Sequence, residues 1–202
     1  ENNQDLRLID NFFWGQDPSA VLEVKWWQEL NGSGNTLGNE DGELLSLALP
    51  SNWQTYQWDY NTYSSPSSDP FAVNDETRSW NEWKEDTSLD ANSSFVQGLP
   101  SGGIMFVRPN EYESKRANII IYNWDELAFV PIDVTNIGLE IGDHYTLHNA
   151  QNYFEETISG IYDGNQINIP MTGWSIIKPI GWDEPLQPLT FPQFGVFTLV
   201  VE

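Results

Sequence analysis

The chain has 202 residues, with 30 Asp and Glu against 8 Lys and Arg, a net charge of −22, and no cysteine. That length can bury a core, as one large β domain or two modest ones. The absence of a basic stripe argues against nucleic acid and anionic membranes as partners, and the absence of thiols leaves stability to packing or a metal. The acidic excess is spread evenly, −13 in residues 1–103 and −9 in 104–202. It reads as a solvated surface that aids solubility, with divalent cations or a salty medium as the functional alternatives. No apolar run of about 18 residues and no h-region are present, so the sequence shows neither a membrane span nor a signal peptide. A chain beginning at Glu1 rather than Met reads as a processed product or an excised domain. Two sequons occur, Asn31-Gly32-Ser33 and Asn92-Ser93-Ser94.

Residues 1–103 hold seven of the ten Trp, at 14, 26, 27, 53, 58, 80 and 83, among long polar loops. Clear apolar runs are few, Ala20–Val24 and Leu44–Leu49, and Trp80–Glu85 predicts a short helical turn. This half reads as irregular and aromatic-rich, without a self-sufficient core, and no repeat at a solenoid period is visible in it.

Residues 104–202 are regular. Short β-branched and aromatic runs between Gly, Asn, Asp and Pro predict strands at 104–108, 117–123, 129–134, 143–148, 157–162, 166–171 and 194–201. Asp163-Gly164 between two alternating runs predicts a two-residue hairpin of type I′. The Pro-rich stretch 178–192 removes ladder donors and should cross the surface before the last strand. The expected fold is all-β: a C-terminal antiparallel β-sandwich, Ig-like or jelly-roll-like, with residues 1–103 packed on it.

Ser79-Trp-Asn-Glu-Trp-Lys-Glu-Asp-Thr-Ser-Leu-Asp-Ala-Asn-Ser-Ser-Phe95 resembles the tryptophan-containing segment, W-x-x-x-T-G-x-D-A-N-S, that ends many secreted bacterial right-handed parallel β-helix proteins. Asp86-Thr-Ser-Leu departs from the commoner Thr-Gly. Ile9-Asp-Asn-Phe-Phe-Trp-Gly15 and Trp58-Asp-Tyr-Asn-Thr-Tyr-Ser64 look like the D-x-N-x-Y/F turns of such rungs. Phe106–Glu113, Arg116–Trp124 and Asn149–Phe154 look like the small β-sandwich that follows the helix in some of them. The resemblance implies that residues 1–103 derive from terminal β-helix rungs. It also implies a location outside the cell or on its surface, and any catalytic rungs upstream of Glu1.

Catalytic signals are weak. His144 and His148 on one strand face lie about 13 Å apart at ~3.3 Å per residue, too far for ligands that each sit ~2.0–2.1 Å from one ion. There is no Cys, no Gly-x-Ser-x-Gly elbow and no phosphate-cradling glycine loop. With thirty acids, chance pairs are too many to single out a glycosidase pair. No cofactor is required. Calcium is the one candidate, through Asp41 and Glu43 in one loop and Asp69, Asp75 and Glu76 in another, although neither loop has helix-loop-helix ligand spacing. Trp53, Tyr56, Trp58, Tyr60 and Tyr63, with Trp174 and Trp182, mix flat rings with Asp, Asn and Gln. They read either as a sugar-stacking platform or as padding between the halves.

The leading expectation is a non-catalytic extracellular accessory or carbohydrate-binding module of a secreted polysaccharide-associated protein. Its partner would be a polysaccharide, another chain or an upstream domain. The second is a structural subunit or cap of an extracellular assembly, a filament or surface layer. The third is a polysaccharide-degrading enzyme whose catalytic part lies upstream.

Overall fold

A computed structural model describes residues 3–16, 18–178, 180–181 and 189–201. The chain is all-β, with parallel as well as antiparallel sheets, and it divides into two compact units, Glu1–Pro100 and Ser101–Glu202.

Unit 1 is a stack of rungs. The first consists of β1 (Asn3–Ile9), β2 (Phe12–Gly15) and β3 (Leu22–Val24). The second holds β4 (Trp27–Ser33), β5 (Thr36–Asn39) and β6 (Leu45–Leu47), and the third β7 (Gln57–Asp59), β8 (Thr62–Ser65) and β9 (Phe71–Val73). Each rung places one strand in each of three parallel sheets, β1-β4-β7, β2-β5-β8 and β3-β6-β9. A repeat is therefore present: Phe13 pairs with Leu37 and Leu37 with Tyr63, offsets of 24 and 26 residues.

This corrects the irregular reading of residues 1–103 and the expectation that they lack a repeat and a core. What recurs is strand position, while an inward position accepts any large apolar side chain. Along the stack one inward column runs Leu22, Leu45, Phe71 and another Phe13, Leu37, Tyr63. Leu45, Phe71, Leu37 and Tyr63 belong to one buried cluster with Leu30, Leu44, Leu47, Trp58 and Trp83, all 1% exposed or less, and the partly buried Leu22 and Phe13 pack against it. The apolar runs at Ala20–Val24 and Leu44–Leu49 contain β3 and β6.

After the third rung the pattern changes. β10 (Glu76–Arg78) turns back antiparallel on β9, and α1 (Trp80–Thr87) follows. The helix starts where Ser79 and Glu82 form a reciprocal capping box, and ends at Ser88 in the left-handed region. Its Trp83 stacks on Phe71 with ring centroids 5.0 Å apart, so α1 lays an aromatic lid on the Leu22–Leu45–Phe71 column. β11 (Ser94–Gln97) then adds a fourth strand to the second sheet, parallel to β8.

Unit 2 contains β12 (Gly103–Pro109), β13 (Arg116–Asn123), β14 (Phe129–Ile132), β15 (His144–Asn149), β16 (Thr157–Ile161), β17 (Ile167–Pro170) and β18 (Phe194–Val201). Five of them form an antiparallel sheet in the order β12-β13-β18-β15-β16, and β14 pairs antiparallel with β17. Alternation directs Ala117, Ile119 and Ile121 inward from β13, where they join Val130 and Ile132 of β14 and Ile167 and Ile169 of β17 in one buried cluster.

Every strand expected after residue 104 coincides with an observed one to within two residues. The type I′ hairpin does not form: β16 pairs with β15 and β17 with β14, so Asp163-Gly164 carries the chain from one sheet to the other. Gly164 has φ +91°, Asp163 is not among the positive-φ residues, and the Asp163 carboxylate accepts the Asn165 N–H at 3.0 Å. The turn signal is real, but the alternating runs beside it face different partners. Most of the Pro-rich stretch lies outside the described residues.

Candidate functional site

The corner between the first and second strand of each rung is a two-residue bend of constant form. Asp10-Asn11, Gly34-Asn35 and Tyr60-Asn61 occupy it, and the first member of each pair has positive φ, 54°, 67° and 59°. The second member is always asparagine, and the three amides are joined in one direction. Asn11 Nδ2 donates to Asn35 Oδ1 at 3.1 Å, Asn35 Nδ2 to Asn61 Oδ1 at 3.0 Å, and Asn61 Nδ2 to Asp90 Oδ1 at 3.3 Å. Backbone N–H groups of Asn11 and Asn35 also donate to the next Oδ1, which fixes which atom of each amide is oxygen.

The amide series ends on a buried carboxylate. Asp90 is fully covered and also accepts from Trp83 Nε1 at 2.8 Å, from the Tyr63 hydroxyl at 3.0 Å, and from Ser93 Oγ at 2.5 Å. Tyr63 in turn accepts from Trp58 Nε1 at 2.6 Å. Burial raises the Asp90 pKa, and its four donors only partly offset that cost. Burial, then the charge of Asp90, pushes the Tyr63 phenol well up.

Beside this network, where the 88–91 segment runs along β7, lies an open depression of ≈ 360 Å³, whose wall includes Asn31, Gln57, Asp59 and Tyr60 together with the buried Tyr56, Trp58 and Asp90. Asn31 pairs directly with Gln57, and Arg7 with Asn31, so the three form a column crossing β1, β4 and β7. The Trp58 indole lies against Gly32, where a Cβ would stand 2.0 Å from its Cε3. The Tyr60 ring is 66% exposed at the rim. Partial burial works against the charge of Asp59, but hydrogen bonds from Asn92 at 2.7 Å, Tyr60 N and Ser93 hold its pKa below the ordinary aspartate value.

The expected ring platform is not assembled. Tyr56, Trp58 and Tyr63 are 6%, 1% and 0% exposed, so their faces fill the coil instead of meeting a sugar. Trp53 is half-buried against the same cluster, and Tyr60 alone projects. The proposed shared face of Trp58 and Tyr60 fails because Tyr60 sits in the corner bend, past the end of β7. Trp174 is half-buried on the unit 2 cluster and donates to the Pro170 carbonyl at 2.7 Å. Trp182 lies outside the described residues.

The calcium candidates are likewise dispersed. Asp75 pairs with Lys25 at 3.5 Å, Glu76 with Arg78 at 2.8 Å, and Asp69 accepts from Ser68 Oγ at 2.6 Å. The loop holding Asp41 and Glu43 is pinned by Asn39, whose Oδ1 accepts the Asp41 N–H and whose Nδ2 donates to the Glu43 carbonyl. Among the described residues no three acidic or histidine side chains converge as a metal site. His148 hydrogen-bonds the Tyr153 carbonyl at 2.9 Å and stacks on its ring, while His144 is exposed. No described helix is long and apolar enough to cross a membrane.

Sequence reasoning missed the amide series and Asp90. The signal was the echo Asn35-Thr36 and Asn61-Thr62 after a bend residue, 26 residues apart. Comparison with protein-family models, curated proteins and solved structures finds no match to the chain.

Proposed function

We propose that the chain is the non-catalytic closing module of an extracellular protein built on stacked β rungs. In this reading unit 1 is the last part of a right-handed parallel β-helix, and unit 2 is an antiparallel β-sandwich appended to it. The observation that carries the reading is the polarity of the amide series. An asparagine both accepts and donates and can pass a hydrogen bond onward, whereas an ionised aspartate only accepts and must end the series. The series ends at Asp90, under the Trp83 lid. Its other end is Asn11, whose Nδ2 donates onward to Asn35, leaving Oδ1 as the acceptor that a further rung would engage. On that same side β1, β2 and β3 are the terminal strands of their sheets, with Leu6, Leu8, Phe13 and Leu22 only partly buried. Stacked-repeat proteins close with atypical terminal units, and α1 with the 88–93 segment is such a departure from the rung pattern. The extracellular setting and the association with polysaccharide come with the resemblance of residues 79–95.

The test adds a rung. Placing a copy of residues 27–50 directly before Asn3 reproduces the 24-residue offset of the first two rungs and offers its own copy of the Asn35 amide to Asn11 Oδ1. The expected result is a melting temperature several degrees higher, since each repeat interface adds to stability, with a smaller gain when that added asparagine is alanine. An added rung that leaves the melt unchanged or lowers it would overturn the reading.

A further inference from the structure

We infer that the free edge of β16 is a docking site for an extended strand of a partner protein that carries Lys or Arg at both ends of an uncharged core. The inference concerns unit 2 alone and is independent of what stacks on unit 1. β16 ends its five-stranded sheet, because the chain leaves at Asp163-Gly164 and β17 pairs with β14 where a hairpin would have supplied the next strand. Its ladder decides which groups are left open. The Tyr162 N–H donates to the Asp143 carbonyl and the Glu156 carbonyl accepts from the Asn149 N–H, so the even-numbered residues face β15. Thr157, Ser159 and Ile161 therefore turn their N–H and C=O groups away from the sheet, and no hydrogen bond among the described residues engages those groups. Alternating donors and acceptors at strand spacing are satisfied together by one more strand.

The edge also lacks the devices that keep strands apart, which are charges, proline and bulges. β12, at the opposite edge of the sheet, carries exposed Arg108 and Pro109. β16 reads Thr-Ile-Ser-Gly-Ile, without charge or proline, in a chain of net charge −22. Ile161 is 61% exposed. An open depression of ≈ 270 Å³ lies beside it, walled by His144, Thr146, Ser159 and Ile161, with room for a side chain of the incoming strand. On the other face the Tyr145 ring fills the space of a side chain at Gly160, and Ile158 packs on the unit 2 cluster. Apolar residues of an added strand would extend that packing.

Charge chooses the occupant. The uncharged strand lies between Glu155 and Asp163, both exposed, while the intervening Glu156 is turned onto Ser175 and Asn149. A second copy of the chain laid antiparallel about Ser159 would set each Glu155 against the other copy's Asp163, and like charges directly opposite are destabilising. A foreign strand with basic residues at those two positions meets both acids instead. The acidic field of the whole chain attracts such a strand and repels further copies.

The test is fluorescence anisotropy of the whole chain with a labelled peptide, Lys-Val-Thr-Val-Thr-Val-Thr-Val-Lys. Laid antiparallel with its central Thr opposite Ser159, the peptide brings its lysines opposite Glu155 and Asp163. Saturable binding is expected, weakened about tenfold when both lysines are glutamate. Ser159→Pro removes an outward N–H and leaves the ladder to β15 whole, so it should abolish binding with an unchanged melting temperature. Glu155→Lys should weaken binding of the lysine peptide about fivefold and strengthen, by about as much, binding of a peptide whose last lysine is glutamate. Should Ser159→Pro fold poorly, the charge exchange at 155 decides. No binding, equal binding of the lysine and glutamate peptides, or binding that survives Ser159→Pro in the folded chain would overturn the inference. A concentration-dependent dimer that Ser159→Pro disrupts would overturn it too, because the edge would then belong to a second copy.

Discussion

The indole nitrogen of Trp83 donates to Oδ2 of Asp90 at 2.8 Å, tying α1 to the segment that follows it. The same carboxylate takes the last amide of the asparagine series on its other oxygen. One side chain thus satisfies both the lid and the end of the stack. Asp90→Ala would leave the Trp83 and Tyr63 donors buried without an acceptor, so it should cost about 3–5 kcal/mol in urea denaturation. Asp90→Asn should cost less, because asparagine suits the φ of +57° and keeps one acceptor oxygen. Equal, small losses for both would show that the network is dispensable.

Two aspartates give stability opposite dependences on pH. Asp90 has a raised pKa in the folded chain, so the folded state holds its proton more tightly than the unfolded one. Its contribution is fully present below the unfolded value and is lost as pH rises through the folded value. Asp59 has a lowered pKa, and its contribution is present above the unfolded value and lost as pH falls through the folded one. The stability of the parent relative to Asp59→Asn should therefore shrink on acidification below the ordinary aspartate range. Relative to Asp90→Asn it should shrink as pH rises out of that range. Chemical denaturation across a pH series reads both slopes, and parallel profiles would contradict these assignments.

Gly32 exists to admit Trp58. The indole covers it, is 1% exposed and is pinned by its bond to the Tyr63 hydroxyl, so it has nowhere to move. Gly32→Ala should destabilise by about 1–3 kcal/mol through overpacking. Combined with Trp58→Leu, the alanine should cost much less than it does alone, and a strictly additive cycle would remove the steric explanation.

Gly164 tests the connection between the two sheets of unit 2. Its φ of +91° opposes a branched side chain, and so does Ile141 Cδ1, which lies 3.2 Å from where a β-carbon would stand. Gly164→Val should cost about 1–2 kcal/mol. Asp163→Ala should cost about 0.5–1 kcal/mol by removing the acceptor for the Asn165 N–H. A neutral valine variant would mean that this backbone conformation is not held in solution.

The antiparallel unit was legible because a strand with one buried face writes its alternation into the sequence, as Ala117, Ile119 and Ile121 do. The stacked unit was not. Its strands are three or four residues long in most places, too short for alternation to stand out, and its inward columns mix Leu, Phe, Tyr and Trp freely. Aromatic density then looked like a ligand platform, when Trp58 and Tyr63 were filling the coil. The turn motifs at Asp10-Asn11 and Asp59-Tyr60-Asn61 were visible and do fall on the same corner. Their middle member was hidden because glycine takes the bend position at 34. Nothing local marks Asp90 as buried, since its donors are Asn61, Tyr63, Trp83 and Ser93 and meet only in the folded chain.

Not every bend of the coil is constrained alike. The first corner keeps two residues in all three rungs, whereas the stretch between the third strand and the next rung grows from two residues, Lys25 and Trp26, to the nine of 48–56. An extra residue at the first corner would throw the asparagines out of line. The same addition between β6 and β7 leaves every pairing intact. The exposed tip of that segment, Ser51 and Asn52, is therefore the natural place to graft foreign peptides, and the part of unit 1 where length should drift most freely over evolutionary time.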